Sequence, residues 1–242
     1  MTYSLKDKDV LIVGGGSDIA AALAADLLQE GARVTLAGRD AGRTAAAAKA
    51  VGDTVRAIAL DLSDEESIRA AADQAGTADG LDHLVSVATE RASGPVASLD
   101  RRALLAAFDA KAVGPIMLAK HFAPLIAKGG SLLFFSGLGA WRPAPGGVAT
   151  AATNGSVTTL VSALAVELAP TRVNAISPGV ITTGAWDTAV PDKQRLFQHV
   201  AATTPARRVG QPSDVSSAAR ALLTNPFITG ETLHVDGGGR WA

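Results

Sequence analysis

Three consecutive glycines, residues 14–16, stand between the apolar residues 10–13 and a run in which Ile19, Ala20, Leu23, Ala24, Leu27 and Leu28 recur at helical spacing. The order strand, glycine turn, helix carries a chemistry. A backbone without a Cβ can approach a phosphate closely, and the free N–H groups at a helix start favour an anion. The same turn also serves as a plain β–α connection, so a glycine cluster alone names no ligand. Composition limits the other chemistries. There is no cysteine, which removes thiolate nucleophiles and disulfides and is compatible with the cytoplasm. The four histidines, His83, His121, His199 and His234, are widely spaced, so no metal site is expected. The formal net charge is −1 and basic residues form no block, which argues against a nucleic-acid partner. No basic start leads into an apolar run, and no stretch of about 18 apolar residues could span a bilayer, so neither a signal peptide nor a membrane segment is expected.

The elements that must position these residues follow from periodicity. The 242 residues, 48% of them hydrophobic, suit one large α/β domain, residues 1–242. Strands are expected at 10–13, 33–37, 55–60, 81–87, 131–136, 172–177 and 231–235. Helices are expected between them. One begins at Ser63, with Glu66 completing a capping box, and runs to Gly76. A long one covers 99–126 with a kink at Gly114–Pro115. Another follows the loop 137–147 and reaches residue 169, and a last one starts near Pro212. Residues 180–211 lack strong periodicity and read as a mobile lid. Alternating strands and helices imply a doubly wound parallel sheet with helices on both faces. Ligands then bind beyond the carboxyl ends of the strands, near residues 14–20, 37–39, 61–62, 86–89, 136–141 and 177–183.

These strand ends, in this order, resemble the short-chain dehydrogenase/reductase family over essentially the whole chain. The segment 173–179 (VNAISPG) with Thr183, and the segment 229–238 (TGETLHVDGG), carry the resemblance most strongly, with Asp61–Leu62 as the acidic residue after the third strand. The resemblance implies a Rossmann-type sheet, a nicotinamide dinucleotide, a small carbonyl or alcohol substrate, and a homodimer or homotetramer. The glycine motif falls on Gly14, Asp18 and Ala20. Asp18 would place a carboxylate near a pyrophosphate. The implied cofactor contacts are Gly14, Gly16, Ser17, Asp18, Ile19, Arg39, Asp61, Leu62, Ala88, Pro178, Gly179, Ile181 and Thr183. After the second strand the residues are Ala37, Gly38 and Arg39. A guanidinium without a carboxylate in the first position favours NADP over NAD, with Asp40 as the counter-argument.

The catalytic positions depart from the family. Its tyrosine and lysine, four apart on one helix face, fall on Thr150 and Asn154. Tyr3 is the single tyrosine, and no lysine lies between Lys128 and Lys193. The family's asparagine corresponds to Lys111 and its serine to Ser136, and the fourth-strand motif is reduced to Ser86, Val87, Ala88 and Thr89. A threonine hydroxyl is a poor proton donor near neutrality, and Asn154 brings no charge. Three readings follow. One is an NADP-dependent oxidoreductase in which Lys111 supplies the ammonium while Ser136 and Thr150 polarise the reacting oxygen. Another is a non-redox member, acting as a nucleotide-binding sensor, scaffold or partner subunit. The third is an isomerase, lyase or cyclase using a pocket of Trp141, Trp186, Leu196 and Phe197. Arg91 is a candidate for an anionic substrate.

Overall fold

The computed structural model describes residues 4–76 and 80–242, so Tyr3 lies outside the described residues. Among them seven strands form one parallel sheet: β1 (Asp9–Val13), β2 (Arg33–Gly38), β3 (Arg56–Ala59), β4 (Leu81–Ser86), β5 (Ile126–Phe135), β6 (Arg172–Pro178) and β7 (Thr232–Val235). Their order is β3-β2-β1-β4-β5-β6-β7, so the winding reverses between β1 and β4. That reversal opens a crevice at their carboxyl ends, where Val13 pairs with Ser86.

The central strands β1, β4 and β6 are buried on both faces, as in other parallel sheets, while the edge strand β3 is largely exposed. Val10 and Ile12 of β1 enter one core, which is completed by Leu23 and Leu27 of α1 (Asp18–Gln29), Ala48 of α2 (Ala41–Val51) and Leu222 of the helix Pro212–Thr224. Leu11 and Val13 enter the other, with Ile68 of α3 (Glu65–Gly76), Leu118 and Val157. Alternate residues of one strand therefore supply two layers, and each fully buried leucine contributes about 2 kcal/mol.

Four sequence expectations change. Helix α3 is not capped by Ser63. The amide and hydroxyl of Ser63 both donate back to Asp61 Oδ1, at 2.9 and 2.7 Å, so Asp64 is left to accept the Glu66 amide at 3.0 Å. The long helix expected over 99–126 is divided into α4 (Arg101–Phe108), a π-helical turn (Asp109–Val113) and α5 (Gly114–Phe122). Pro115 has no N–H and its ring crowds the carbonyl four residues earlier, so the distortion lies in the turn before it. After α5 the chain is already extended at Ile126, five residues before the expected strand.

Beyond β5 lies α6 (Val148–Glu167). The segment 180–211 is not aperiodic coil. It holds α7 (Trp186–Ala189) and α8 (Lys193–Thr203), whose N-cap Asp192 accepts the Arg195 amide at 2.9 Å. α9 (Pro212–Thr224) starts from a capping box between Gln211 and Asp214. At its other end the buried Arg172 donates to the carbonyls of Leu222 and Leu223, both at 2.7 Å, holding the helix end to the start of β6. No helix among the described residues is long and apolar enough to cross a membrane.

Candidate active site

The glycine turn, the ends of β2 and β3 and the loop after β4 enclose a cavity of 310 Å³. Of the residues implied as cofactor contacts, Gly14, Gly16, Ser17, Arg39, Asp61, Leu62 and Ala88 line it. Gly14 has φ +89°, and a Cβ there would stand 2.8 Å from the Ala88 amide nitrogen, so only glycine fits. A Cβ on Gly16 would meet nothing within 4 Å, which leaves the backbone open toward the cavity. Ser17 caps α1 by accepting the Ala20 amide at 3.2 Å.

Gly15 and Gly38 of the expected strand ends line the cavity too, and its wall also holds Glu90, next to the expected strand end 86–89, and Arg43, Thr44, Asp109 and Ala110, which the sequence reading did not single out. Arg43 could have been found, since it lies in the first turn of the helix that follows Arg39. Glu90 could not, because only the β1–β4 crevice brings it opposite Arg39. Arg39 Nη2 lies 2.8 Å from Glu90 Oε1, in an ion pair that is exposed on both sides. Asp40 also lines the cavity, but its carboxylate has a local partner. Its Oδ1 accepts the Arg43 amide at 2.9 Å and caps α2, so its carboxylate serves its own helix. Gly38 therefore stands where an NAD-binding site places an acidic side chain. The cavity has backbone against one side and two arginines at its mouth, and the carboxylate that follows β2, Asp40, is engaged as a helix cap.

Asp18 and Ile19 form the first turn of α1 beside this cavity rather than its lining. Asp18 Oδ2 accepts the Gly184 amide at 2.6 Å. Pro178, Gly179, Ile181 and Thr183 lie across the sheet ends. A Cβ on Gly179 would meet Asp236 Cα at 2.8 Å, so this glycine lets β6 pass the turn after β7. Ile181 lines a second cavity, of 790 Å³, with Leu138, Arg142, His199 and His234; the two cavities share no residue. Neither is lined by Trp141, Trp186, Leu196 or Phe197, and these do not form a common cage. Trp141 meets the His234 ring edge-on at 4.5 Å, and Trp186 donates to the Ile181 carbonyl at 2.7 Å beneath the Arg91 guanidinium.

The four candidate catalytic residues converge on the end of β5. Lys111, on the π-helical turn, is 6% exposed and donates to the Phe135 carbonyl at 2.7 Å. Burial lowers its pKa to about 8. The next residue, Ser136, is buried and donates its hydroxyl to the Asn154 backbone carbonyl at 2.8 Å. The Asn154 amide packs on Gly137, where a Cβ would stand 2.9 Å from Nδ2. Thr150 is exposed one turn earlier in α6, its methyl against Gly139. A buried ammonium and a buried amide thus face one turn from opposite helices, with no phenol beside them among the described residues.

A family model described as enoyl-(acyl carrier protein) reductase matches residues 14–239. An uncharacterized oxidoreductase of Mycobacterium tuberculosis is 33% identical over 98% of this chain and 93% of its own length. The chain belongs to the short-chain dehydrogenase/reductase family. A short-chain dehydrogenase/reductase structure from Mycobacterium ulcerans superposes with a TM-score of 0.90 at 30% identity, covering 98% of this chain and 91% of that one. A small-chain dehydrogenase in complex with NADPH superposes with a TM-score of 0.84 at 31% identity, covering 98% and 100%. The Rossmann-type sheet and the oxidoreductase family expected from the strand ends are both found, and with the family comes a nicotinamide cofactor.

Proposed function

We propose that this short-chain dehydrogenase/reductase is a cytoplasmic, NADP(H)-dependent oxidoreductase of a small carbonyl or alcohol substrate, with its proton chemistry moved to Lys111. One observation carries the cofactor preference. Gly38 replaces a carboxylate, Asp40 is held as a helix cap, and Arg39 and Arg43 flank the cavity mouth. A guanidinium pairs well with a 2′-phosphate, and the exposed Glu90 contact is weak enough to be exchanged for one. The NADPH complex of the small-chain dehydrogenase supports the same reading. Gly14, Gly16, Ser17, Asp61, Leu62 and Ala88 would hold the adenosine half, and Pro178, Gly179, Ile181 and Thr183 the nicotinamide half. When bound, the nicotinamide ring supplies or accepts the hydride.

The chain's own residues must supply the proton. Lys111 is the single buried lysine among the described residues. An amine with a pKa of about 8 gives and takes a proton near neutrality, in the range where acid–base groups are effective. In reduction its Nζ would donate the proton that the carbonyl oxygen gains, and in oxidation recover it. Ser136 fixes the Asn154 backbone, so the turn holding Gly137 and the α6 face bearing Thr150 and Asn154 stay in register. The segment 180–211 would act as the lid. The outer faces of α4–α5 and of α6, where Leu105, Val113 and Ile116 remain exposed, would form the homodimer or homotetramer contact.

Calorimetric titration with NADPH and NADH tests the cofactor assignment. NADPH should bind at least 10-fold more tightly, and Arg39→Ala should remove most of the difference. Equal binding of the two cofactors would overturn the role of Arg39. Cofactor binding without turnover over a carbonyl and alcohol panel would move the chain to the non-redox reading.

A further inference from the structure

Asp18 stands where the family pattern has glycine, and its carboxylate has a partner. Oδ2 accepts the backbone amide of Gly184, 166 residues away, at 2.6 Å. Gly184 opens the turn into α7: the Asp187 amide donates to its carbonyl at 3.0 Å. On the opposite side of the crevice, Arg91 from the loop after β4 lies over the Trp186 ring at 5.4 Å. The start of segment 180–189 is tied to the loop before α9, where the Thr182 amide donates to the Gly210 carbonyl at 2.8 Å and the Gly210 amide to the Val180 carbonyl at 3.0 Å; the part around α7 is fastened at two further points, to the start of α1 and to the β4 loop. The adenosine cavity lies to one side of this closure, and neither Asp18 nor any residue of segment 180–189 lines it.

The two fastenings differ chemically. The Arg91–Trp186 contact has no competitor in a dinucleotide. The Asp18–Gly184 contact does. A backbone amide facing a helix start is a phosphate donor, and here a carboxylate already holds it. We infer that Asp18 is an internal anion that takes the diphosphate's place at the Gly184 amide, latches segment 180–189 over the crevice, and sets the affinity for a whole dinucleotide separately from that for its adenosine half. The inference rests on the dinucleotide reading above. Asp18 must release Gly184 before a diphosphate can use that amide, and its charge then opposes the diphosphate at the start of α1. A ligand confined to the adenosine cavity meets neither obstacle. Asp18 is thus a specificity-determining residue: it penalises the complete cofactor and leaves the recognition of its 2′-phosphate half untouched.

The experiment compares NADPH with adenosine 2′-monophosphate by calorimetry on the wild-type chain, Asp18→Gly and Asp18→Asn, with amide hydrogen exchange of residues 180–189 measured on each ligand-free protein. Asp18→Gly should bind NADPH on the order of 10-fold more tightly and leave adenosine 2′-monophosphate unchanged, while exchange at Gly184 accelerates. Asp18→Asn keeps an acceptor for Gly184 but loses the charge, so its gain should be smaller and its exchange close to wild type. Unchanged or weaker NADPH binding by Asp18→Gly would overturn the latch, and so would unchanged exchange at Gly184. Failure of adenosine 2′-monophosphate to bind any of the three proteins would instead overturn the NADP(H) reading, and the latch would then be judged on amide exchange alone.

Discussion

The two halves of the crevice keep the family's design to different degrees. The adenosine half, built from β1, α1, β2 and the β4 loop, retains its shape although two of the three glycine-motif positions have changed. Its recognition is mostly backbone: Gly14 at positive φ against Ala88, Gly16 open to the cavity, Asp40 capping α2. The reactive half, built from the π-helical turn, β5 and α6, retains its scaffold but not its side chains. By the resemblance read from the sequence, Lys111 and Asn154 would stand where the family has asparagine and lysine, and Thr150 where it has tyrosine. Backbone recognition survives substitution as long as the turn geometry survives. Proton chemistry belongs to particular side-chain atoms and moves whenever those atoms move to another element.

The largest effect expected from that contrast is on Lys111. Lys111→Met, nearly matched in volume, should lower turnover on the order of 10²- to 10⁴-fold while leaving NADPH affinity unchanged, as steady-state kinetics beside calorimetry would show. Unaltered turnover would place the proton on another group and dissolve the contrast. The same variant should be more stable. Burial lowers the Lys111 pKa from 10.5 to about 8, so below pH 8 the folded chain must hold a proton that burial disfavours. The sign follows: the penalty is fully present below about pH 8 and vanishes as pH rises through 10.5, where the unfolded chain also loses the proton. Urea unfolding should show Lys111→Met ahead by about 3 kcal/mol at pH 7, with the gap closing by pH 10.5. A gap that is constant with pH would mean that burial does not shift the lysine's pKa between the folded and unfolded chain.

A change in the backbone half should act differently. Gly14→Ala forces a side chain into positive φ and against the Ala88 amide, so it should abolish NADPH binding and lower stability by about 1–3 kcal/mol, read from the urea midpoint. Binding that survives would show that the turn tolerates a Cβ. The smallest effect belongs to Glu90. Glu90→Gln frees Arg39 from an exposed ion pair and should tighten NADPH about 2- to 5-fold, with NADH unmoved. An equal change for both cofactors would mean that Arg39 does not read the 2′-phosphate.

Much of this was legible in the chain itself. Residues 41–51 read as helical from their alanine-rich run, and α2 occupies them. The strands were placed to within a residue or two except β5, whose first residues, 126–130, include two glycines and no apolar run. Ser63 looked like a cap because its type and spacing fit, but local competition for Asp61 gave that place to Asp64. The helices of segment 180–211 were missed because α8 is a solvated helix without a fully buried face, and periodicity registers burial rather than helix formation.

The sequence by itself determined the sheet and its winding, because these follow from local periodicity and from connection rules. It also placed the glycine turn and Arg39 at strand ends. Only the tertiary structure decided what each polar group meets. It set Glu90 opposite Arg39, turned Asp40 into its own helix, joined Asp18 to Gly184, and buried Lys111 against a carbonyl at the end of β5. The partners of Arg39, Asp18 and Lys111 lie 51, 166 and 24 residues away, and the strength of a charge depends on burial and on the neighbour it finds, which local sequence does not encode.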